Sequence, residues 1–397
     1  MNMKPFFKTS LWIVLLAAIL ISCRNSGQMK EDHLITIDLK ELPPRGTLNL
    51  SELGAIDIQY IPLETTGQGV IPGIRKILVS RDYFLTVYFS NIFMFRHDGT
   101  FVTKIGKVGK GPDEFTVAHD VDIDRNDGSI YLAAGFQQKF FVFSPEGNLV
   151  RTFKTPLSSA MNFRLTGDGI LCYYSNHMGE IENSFILVDT TGTIIRNFPN
   201  KYPWTRTVPN VFYQGENLFY NFDNQLLKKE IYCDTVYCWK DGDFEPHMVI
   251  DVGNRRLTPE ARTASTAEII MKSFLHPMEL FEFGDKVYYE FISSQNDKME
   301  GLAFIGSKDG QLRTFFDPEK ELLNDIDGGP NFWPKGTWDD NTIISWVEAL
   351  SLKNWVNSET FKNSNPRNPG KKAELVRLAG SLEETDNPVL VLVRFKE

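Results

Sequence analysis

The chain has 397 residues, of which 42% are hydrophobic and 13% aromatic, so it can bury a large core. Its 51 acidic residues outnumber its 42 lysines and arginines. The net charge of −9 and the lack of a long basic run argue against binding to nucleic acid or to an anionic membrane surface. Four cysteines without C-x-x-C spacing indicate neither a disulfide framework nor a zinc ribbon, and a bond between Cys233 and Cys238 stays open beside free buried thiols.

The N-terminus has the pattern of an export signal. Lys4 and Lys8 precede an apolar run, Leu11 to Ile21, which is too short to span a bilayer. The sequence Leu-Ile-Ser-Cys ending at Cys23 resembles the bacterial lipoprotein box, which implies cleavage before Cys23 and acylation of its thiol and amino group. An ordinary cleavage site with an incidental cysteine is the alternative. We therefore predict a signal peptide over residues 1–22, lipidation of Cys23 and a polar tether over residues 23–33.

The predicted lipid anchor makes the membrane a partner of this protein, because several acyl chains together hold firmly. Arg24 follows the cysteine in place of the aspartate of an inner-membrane retention signal, so we expect an outer-membrane lipoprotein of the cell envelope. Whether it faces the periplasm or the exterior stays open.

The glycine-rich stretch KIGKVGKGPDEF, Lys104 to Phe115, invites comparison with a phosphate-binding loop. Gly106 and Gly111 have suitable spacing, but Pro112 and Asp113 stand where that loop requires Lys and Ser or Thr. A strand pattern follows instead of a helix. We therefore interpret these glycines as a connection between strands.

A hairpin pattern recurs five times. Each copy has an apolar strand, a turn ending in glycine and a second strand; the copies are Ile92–Gly106, Phe140–Lys154, Phe185–Pro199, Val236–Ile250 and Gly301–Asp317. The turn glycines supply the positive φ of a tight hairpin. They are separated by 48, 45, 50 and 68 residues, and another strand pair precedes each hairpin. Units of four strands at this spacing are typical of propeller blades.

The longest interval contains a predicted helical insertion at residues 257–275. Thr258 is suited to cap the helix, Pro259 to occupy its first turn and Glu260 to lie at its positive end, and the helix is predicted to run to Phe274.

Residues 34–397 are predicted to form one all-β domain, a six-bladed β-propeller with a few inserted helices. The sixth blade is assembled from Asn331–Phe395 and the early strands around Ile56–Leu63, so that the N- and C-terminal strands share the last blade and close the ring. Helical elements are expected within residues 342–384, from the spacing in Thr342–Val356 and Lys371–Glu384.

The glycine-rich loop with the repeat that follows it resembles an NHL-type propeller repeat. Together with IQYIPLETT (Ile58–Thr66) and DNPVLVLVRF (Asp386–Phe395), it resembles the six-bladed, NHL- or TolB-like β-propeller lipoproteins abundant in Bacteroidetes. The resemblance covers most of the mature chain. It implies a fold and a location and brings no catalytic residues.

Catalytic and metal motifs are weak in this sequence. Asp120, Asp122 and Asp124 alternate like the start of a calcium loop, but Arg125 and Tyr131 stand where such a loop needs Gly and Glu. We interpret these aspartates as the polar side of a strand and a turn. The six histidines lack metal spacing and no G-x-S-x-G occurs, so no catalytic residue, metal or cofactor is predicted, although a histidine group gathered from several blades stays open.

Three tryptophans in Pro/Gly-rich connections, Trp204, Trp333 and Trp338, are candidate ligand-binding residues. The alternative is that they wedge between blades. The leading hypothesis is a non-enzymatic propeller that binds a peptide, protein or glycan. An enzyme, a lyase or hydrolase with its site at the central channel, is the second hypothesis, and a purely structural envelope component is the third.

Overall fold

The computed structural model describes residues 34–155, 162–177, 179–205, 213, 215–295 and 298–396. The chain divides into two compact units, Met1–Ile35 and Thr36–Glu397. Of the first unit, Leu34 and Ile35 are described, and Ile35 begins strand β1 (Ile35–Asp38). The strands and helices described below, apart from Ile35, belong to the second unit. The predicted signal peptide, Cys23 and the tether lie outside the described residues.

Within the described residues, six sheets of at least four strands follow one another along the chain. Sheet 1 contains β4 (Lys76–Val79), β5 (Phe84–Tyr88), β6 (Asn91–Phe95) and β7 (Phe101–Lys104). Sheet 2 contains β8 (Asp120–Ile123), β9 (Ile130–Ala134), β10 (Lys139–Phe143) and β11 (Leu149–Lys154). Sheet 3 contains β12 (Asn162–Thr166), β13 (Gly169–Tyr173), β14 (Asn183–Val188) and β15 (Ile194–Pro199).

The next sheets have the same antiparallel order. Sheet 4 contains β16 (Asn217–Phe222), β17 (Gln225–Glu230), β18 (Thr235–Lys240) and β19 (Asp243–Asp251), with β1 added beside β19. Sheet 5 contains β20 (His276–Phe283), β21 (Lys286–Gln295), β22 (Lys298–Ser307) and β23 (Arg313–Phe316). Sheet 6 contains β25 (Thr337–Asp339), β26 (Thr342–Val347), β27 (Val389–Phe395) and β3 (Ala55–Pro62). A short parallel pair joins β2 (Leu48–Asn49) to β24 (Leu322–Leu323).

All five predicted hairpins are present, as β6–β7, β10–β11, β14–β15, β18–β19 and β22–β23. Their turn glycines have φ values between 77° and 91°; they are Gly99, Gly147, Gly192, Gly242 and Gly310. Because a residue with a β-carbon is strained there, glycine at these positions determines where each chain reversal occurs.

The glycine-rich stretch is a connection between sheets 1 and 2, as predicted. Phe115 at its end is 1% exposed and lies in the core between these sheets. Gly106 has a φ of 66°, and a β-carbon there would lie 2.7 Å from the ring of Phe115 and 2.9 Å from that of Phe143. Glycine at this position therefore lets the connection pack closely on two aromatic rings.

Sheet 6 brings together the two ends of the second unit. The early strand β3 pairs antiparallel with β27, with Ile58 opposite Val393, so the predicted partnership of these segments is present. Strand β27 lies between β26 and β3, and most of its side chains are buried. The stability of β3 therefore depends on residues more than 300 positions away.

Buried clusters join neighbouring sheets. Representative members are Leu85 and Val121 between sheets 1 and 2, Phe140 and Phe163 between sheets 2 and 3, Leu171 and Leu226 between sheets 3 and 4, and Phe84 and Leu390 between sheets 1 and 6. Sheets 5 and 6 meet at Phe283 and Phe395, whose ring centroids are 4.8 Å apart. Each fully buried side chain of this size contributes about 1.5–3 kcal/mol.

A buried carboxylate joins sheets 4 and 5. Glu282 is fully buried and accepts hydrogen bonds from the Tyr220 hydroxyl at 2.8 Å and from Nε2 of His247 at 2.8 Å. The Lys308 ammonium lies 2.7 Å from its second oxygen. Burial opposes ionisation of Glu282, but His247 and Lys308 outweigh it and hold the pKa of this carboxyl below its usual range.

The helices depart from the sequence prediction in two places. The single helix predicted from Thr258 is two short helices, α1 (Pro259–Ala264) and α2 (Ala267–Ser273), each capped by a threonine side chain. Thr266 starts the second helix because its hydroxyl accepts the Ile269 N–H. The segment Thr342–Val356 is not helical throughout: its first half is β26, paired with β27, and the helix α3 (Ala349–Asn357) begins afterwards. Tertiary pairing outweighs helical spacing there.

Two further helices, α4 (Glu359–Asn363) and α5 (Pro369–Ser381), complete the connection between β26 and β27. Their apolar faces pack with α3 in a cluster that includes Leu352, Phe361 and Leu375. No helix in the described part of the chain is long and apolar enough to cross a membrane.

The antiparallel order separates the connections into two sets. Turns between first and second strands, and between third and fourth strands, lie at one end of each sheet; we call this the short-turn face. The loops between second and third strands, and the connections to the next sheet, lie at the other end, the long-loop face. The five α-helices of the described residues are therefore on the long-loop face.

Candidate ligand-binding site

The first strands of successive sheets lie side by side: β4 contacts β8, β8 contacts β12, β16 contacts β20 and β20 contacts β25. Side chains alternate along a strand, so every second residue turns away from the core between sheets. On β8, Val121 and Ile123 enter that core while Asp120 and Asp122 do not. Charged side chains on the first strands and their neighbours form a group that we call the charged cluster; it contains Lys76, Asp120, Asp122, Arg164, Glu279, Glu290 and Lys335.

Asp120 holds three sheets together within this cluster. One carboxylate oxygen lies 3.0 Å from the Lys76 ammonium of β4, and the other lies 2.7 Å from the Arg164 guanidinium of β12. The Phe163 N–H also donates to Asp120, at 3.1 Å. Burial opposes ionisation of Asp120, but Lys76 and Arg164 outweigh it, so the pKa of this carboxyl lies below its usual range.

Asp122 occupies the next position along the same side of β8. Its carboxylate accepts the Leu165 N–H at 2.9 Å. Burial raises the pKa of Asp122 above its usual range, against the charges of Arg164 and Lys76. The guanidinium of Arg164 also lies over the Phe219 ring of β16, 5.1 Å from its centroid, so the cluster extends to sheet 4.

The opposite part of the cluster contains two glutamates on neighbouring strands. Glu279 of β20 is directly paired in register with Glu290 of β21. Glu290 accepts hydrogen bonds from the Tyr288 hydroxyl at 2.6 Å and from the indole N–H of Trp333 at 3.0 Å. Among the described residues, no side chain forms a hydrogen bond or ion pair with Glu279. Burial and the charge of Glu290 raise the pKa of Glu279 to about 7.

Lys335 completes the cluster from the connection that precedes β25. Its ammonium lies over the ring of Trp333. Burial lowers the pKa of Lys335 to about 8, although Glu290 and Glu279 oppose that effect. The cluster therefore combines a firmly ion-paired half at Asp120 with a half at Glu279 in which proton occupancy changes near neutral pH.

A pocket of about 310 Å³ opens on the short-turn face beside the same first strands. The turns after β8, β12 and β16 form its walls; its lining residues are Asp124, Arg125, Asn126, Leu165, Thr166, Gly167, Asn221, Asn224, Gln225, Leu226 and Trp239. Asp124 comes two residues after Asp122, and Asn221 comes two residues after Phe219, so each lies on the same side of its chain segment as a residue of, or in contact with, the charged cluster. The pocket thus adjoins the end of the charged cluster.

The three candidate tryptophans occupy different environments. Trp204 is buried, donates its indole N–H to the Asn176 carbonyl at 2.7 Å and lies under the Arg262 guanidinium. Trp338 packs between sheets 6 and 1, with its ring 5.3 Å from that of Phe84. Trp333 alone of these three contacts the charged cluster, through Glu290. The structure does not bring them to one place.

Other residues considered from the sequence are also dispersed. Cys233 and Cys238 are free thiols, and the Cys238 thiol donates to the Gln225 amide oxygen at 3.1 Å. His247 contacts Glu282, and His276 stacks on Tyr213. Within the described residues, no group of three or more His, Cys, Asp and Glu side chains is arranged to hold a metal ion.

Sequence reasoning missed Lys76, Arg164, Glu279, Glu290 and Lys335. One weak signal was available: Arg164 lies between two apolar residues on the first strand of a repeated unit, as Asp122 does. Alternation shows that such a residue faces away from the sheet core. Whether that residue faces solvent or another charged side chain depends on the position of the neighbouring sheets. The local sequence pattern carries no information about that position.

Consecutive four-stranded antiparallel sheets, packed on one another with charged first strands side by side, define a propeller-like β protein. The chain matches, over residues 34–394, the family model described as "Domain of unknown function (DUF4934)". It therefore belongs to the DUF4934 family.

Two solved structures from Bacteroides resemble this chain. A Bacteroides fragilis protein whose name calls it exported matches with a TM-score of 0.69 and 16% identity, over 91% of this chain and 99% of that one. A member of the DUF4221 family from Bacteroides vulgatus matches with a TM-score of 0.50 and 10% identity, over 86% of this chain and 97% of that one. At these identities the likeness concerns the fold alone. No curated protein matches the chain.

Proposed function

We propose that this protein is a cell-envelope lipoprotein whose six sheets are the blades of a closed β-propeller, and that it binds a peptide, protein or glycan ligand. Sheet 6 contacts both sheet 5 and sheet 1, and β3 pairs with β27, which supports closure of the ring by the N- and C-terminal strands. In this proposal the protein has a binding or scaffold role, and its ligand binds at the ends of the first strands of the sheets.

The charged cluster is the observation that carries the binding proposal. Four sheets supply its charged side chains, and the Glu279 carboxyl has no side-chain partner among the described residues. Retaining a half-buried carboxylate without a side-chain partner costs stability, and a ligand that donates to it recovers part of that cost. Loops and strand ends on a rigid propeller scaffold would hold the residues that bind the ligand in fixed positions.

The anchor proposal rests on Cys23, which follows the apolar run of the signal sequence. Diacylation and N-acylation of this residue hold the domain on the outer membrane. Metabolic labelling with a fatty acid analogue tests it. The wild-type protein incorporates label and sediments with membranes, whereas Cys23→Ala incorporates no label and gives an uncleaved or soluble product; labelling of the variant contradicts the anchor.

Ligand binding is tested with the unlipidated mature chain. Peptide and oligosaccharide fractions from bacterial envelopes are screened for a rise in Tm, since a ligand that binds the folded state alone stabilises it. The comparison variant is Glu279→Gln, with the exposed Glu268→Gln as its matched control. A ligand that stabilises wild type and Glu268→Gln but not Glu279→Gln supports the proposal. A screen in which no fraction acts counts against it.

A second function is favoured by one observation, the pKa of about 7 for Glu279. A carboxyl that titrates near neutral pH suits general acid–base catalysis, so the alternative is a propeller lyase or hydrolase with Glu279 as the proton-transferring group. The same fractions, examined by mass spectrometry, test this. Turnover by wild type that is lost in Glu279→Gln while binding persists indicates an enzyme; binding without product formation indicates a receptor.

A further inference from the structure

The pocket on the short-turn face is rich in amide side chains. Asn126, Asn221, Asn224 and Gln225 all line it, and they come from the turn after β8, from β16 and from the turn and strand that follow. Asp223 and Asn224 have φ values of 49° and 57°, as a tight two-residue hairpin turn requires. This turn fixes Asn224 at the rim.

Three of these amides have their polar atoms available. Among the described residues, no hydrogen bond engages the side chain of Asn126, Asn221 or Asn224. An amide side chain both donates and accepts, which is the combination that a hydroxyl group also presents. Several available amides around one pocket therefore match a ligand with several adjacent hydroxyl groups.

The charge of the lining also restricts the ligand. Asp124 and Arg125 are the charged lining residues, and their charges are opposite. A strongly charged ligand would leave one of them without compensation, whereas a neutral ligand hydrogen-bonds to both. The lining therefore favours an uncharged, polar molecule.

The apolar part of the pocket is contributed mainly by two side chains. Trp239 and Leu226 are both largely buried and line the pocket. The Trp239 indole N–H donates to Asp168 at 2.9 Å, and its ring packs on Phe198 and Phe244, so the ring is held in place at the pocket wall. The volume of about 310 Å³ lies at the lower end of the range of about 300–1,000 Å³ for small-molecule sites.

We propose that this pocket binds a neutral saccharide of one or two rings, whose hydroxyls hydrogen-bond to Asn126, Asn221 and Asn224 while a C–H face of the ring packs toward Trp239. This inference rests on the proposed binding function and names the ligand class for the short-turn face. The charged cluster next to the pocket is not required for it.

The experiment uses the mature chain and a panel of neutral mono- and disaccharides: glucose, galactose, mannose, xylose, lactose and cellobiose. Saturation-transfer NMR detects binding, and calorimetric titration measures Kd. We expect at least one sugar to bind, and Asn126→Ala combined with Asn221→Ala to weaken it about tenfold or more, since each hydrogen bond contributes about 1 kcal/mol. The matched control is Asn148→Ala, an exposed asparagine in the β10–β11 turn of the same face, which leaves Kd unchanged.

Asn126→Ala alone, in an exposed turn, is the second variant if the double variant unfolds, and it weakens binding severalfold. Three results overturn the inference: no sugar of the panel binds, binding is equal in wild type and pocket variants, or glucuronic acid or glucosamine binds better than glucose. A peptide that binds in a Glu279-dependent manner while every sugar fails leaves the proposed function standing and removes this inference alone. Failure of peptides and sugars together removes both.

Discussion

The carboxylate of Asp120 on β8 accepts a hydrogen bond of 2.7 Å from the guanidinium of Arg164 on β12. The two residues are 44 positions apart and belong to different sheets. Their side chains are 9% and 11% exposed, so this ion pair is nearly removed from water. Removing one partner would leave a buried charge without compensation, which is far more costly than loss of a surface pair.

Asp120→Asn therefore destabilises the domain by about 3–5 kcal/mol, because Lys76 and Arg164 lose the carboxylate that they share. Urea unfolding followed by circular dichroism measures this change. The matched control is Asp243→Asn, which breaks the exposed pair of Asp243 with Arg196, 2.7 Å apart, and costs about 0–1 kcal/mol. Equal effects of the two substitutions would show that burial of the Asp120 pair has no energetic importance.

Glu279 makes stability depend on pH. Its pKa in the folded protein, about 7, lies above its ordinary value of 4.5. Between these two values the folded state binds more protons at Glu279 than the unfolded state, so the contribution of Glu279 to the free energy of unfolding falls as pH rises from about 4.5 to 7 and is then constant. Glu279→Gln removes this fall and raises stability above pH 7 by about 1–3 kcal/mol.

The measurement is a set of denaturant unfolding curves between pH 4.5 and pH 8.5 for wild type, Glu279→Gln and the exposed control Glu268→Gln. The control should follow the wild-type pH profile. An unchanged profile in Glu279→Gln would mean that Glu279 titrates in the folded protein as it does in the unfolded chain. Carbon-detected NMR of the glutamate side chain gives the pKa directly.

Deleting the last ten residues, Pro388–Glu397, removes β27 from the interior of sheet 6. Strands β26 and β3 then lose their central partner and expose unpaired edges. We expect loss of the cooperative thermal transition or aggregation, measured by calorimetry and light scattering. Removal of Arg24–Glu31, or of Lys396 and Glu397, should change Tm little. A C-terminal deletion that melts like the mature chain would contradict closure through β3 and β27.

Arg262 attaches α1 to sheet 4. Its guanidinium lies 2.6 Å from Glu216, the two side chains are 2% and 3% exposed, and the same guanidinium covers the rings of Trp204 and Tyr213. Arg262→Met leaves Glu216 buried without its cation and should cost about 3–5 kcal/mol. Limited proteolysis and hydrogen exchange would show whether the loss is confined to the helical insertion.

Lys272→Met is the control for Arg262→Met. Lys272 lies on α2 and forms an exposed pair with Glu268, so its loss should cost at most about 0.5 kcal/mol. If both variants show the same protection from proteolysis, Arg262 does not hold the insertion in place.

Local chemistry made the hairpins and their spacing predictable from the sequence. In each repeated unit a glycine follows a polar turn residue between two apolar runs, and this local pattern favours a hairpin, so Gly99, Gly147 and their equivalents mark the third and fourth strands without reference to the rest of the molecule. The pairing of β3 with β27 was also predictable, because five repeated units left a sixth to be assembled from the C-terminal segment and an early strand.

Tertiary structure alone decided the charged cluster and the helix boundaries. Lys76, Asp120 and Arg164 each read as the polar side of a separate strand, and contacts between sheets turn those three sides toward one another. Thr342–Val347 has helical spacing but becomes a strand because β27 offers it a full set of backbone partners. The periodicity of the sequence indicates which side of a strand or helix is polar. What that side contacts depends on residues more than 40 positions away, and no local pattern carries that information.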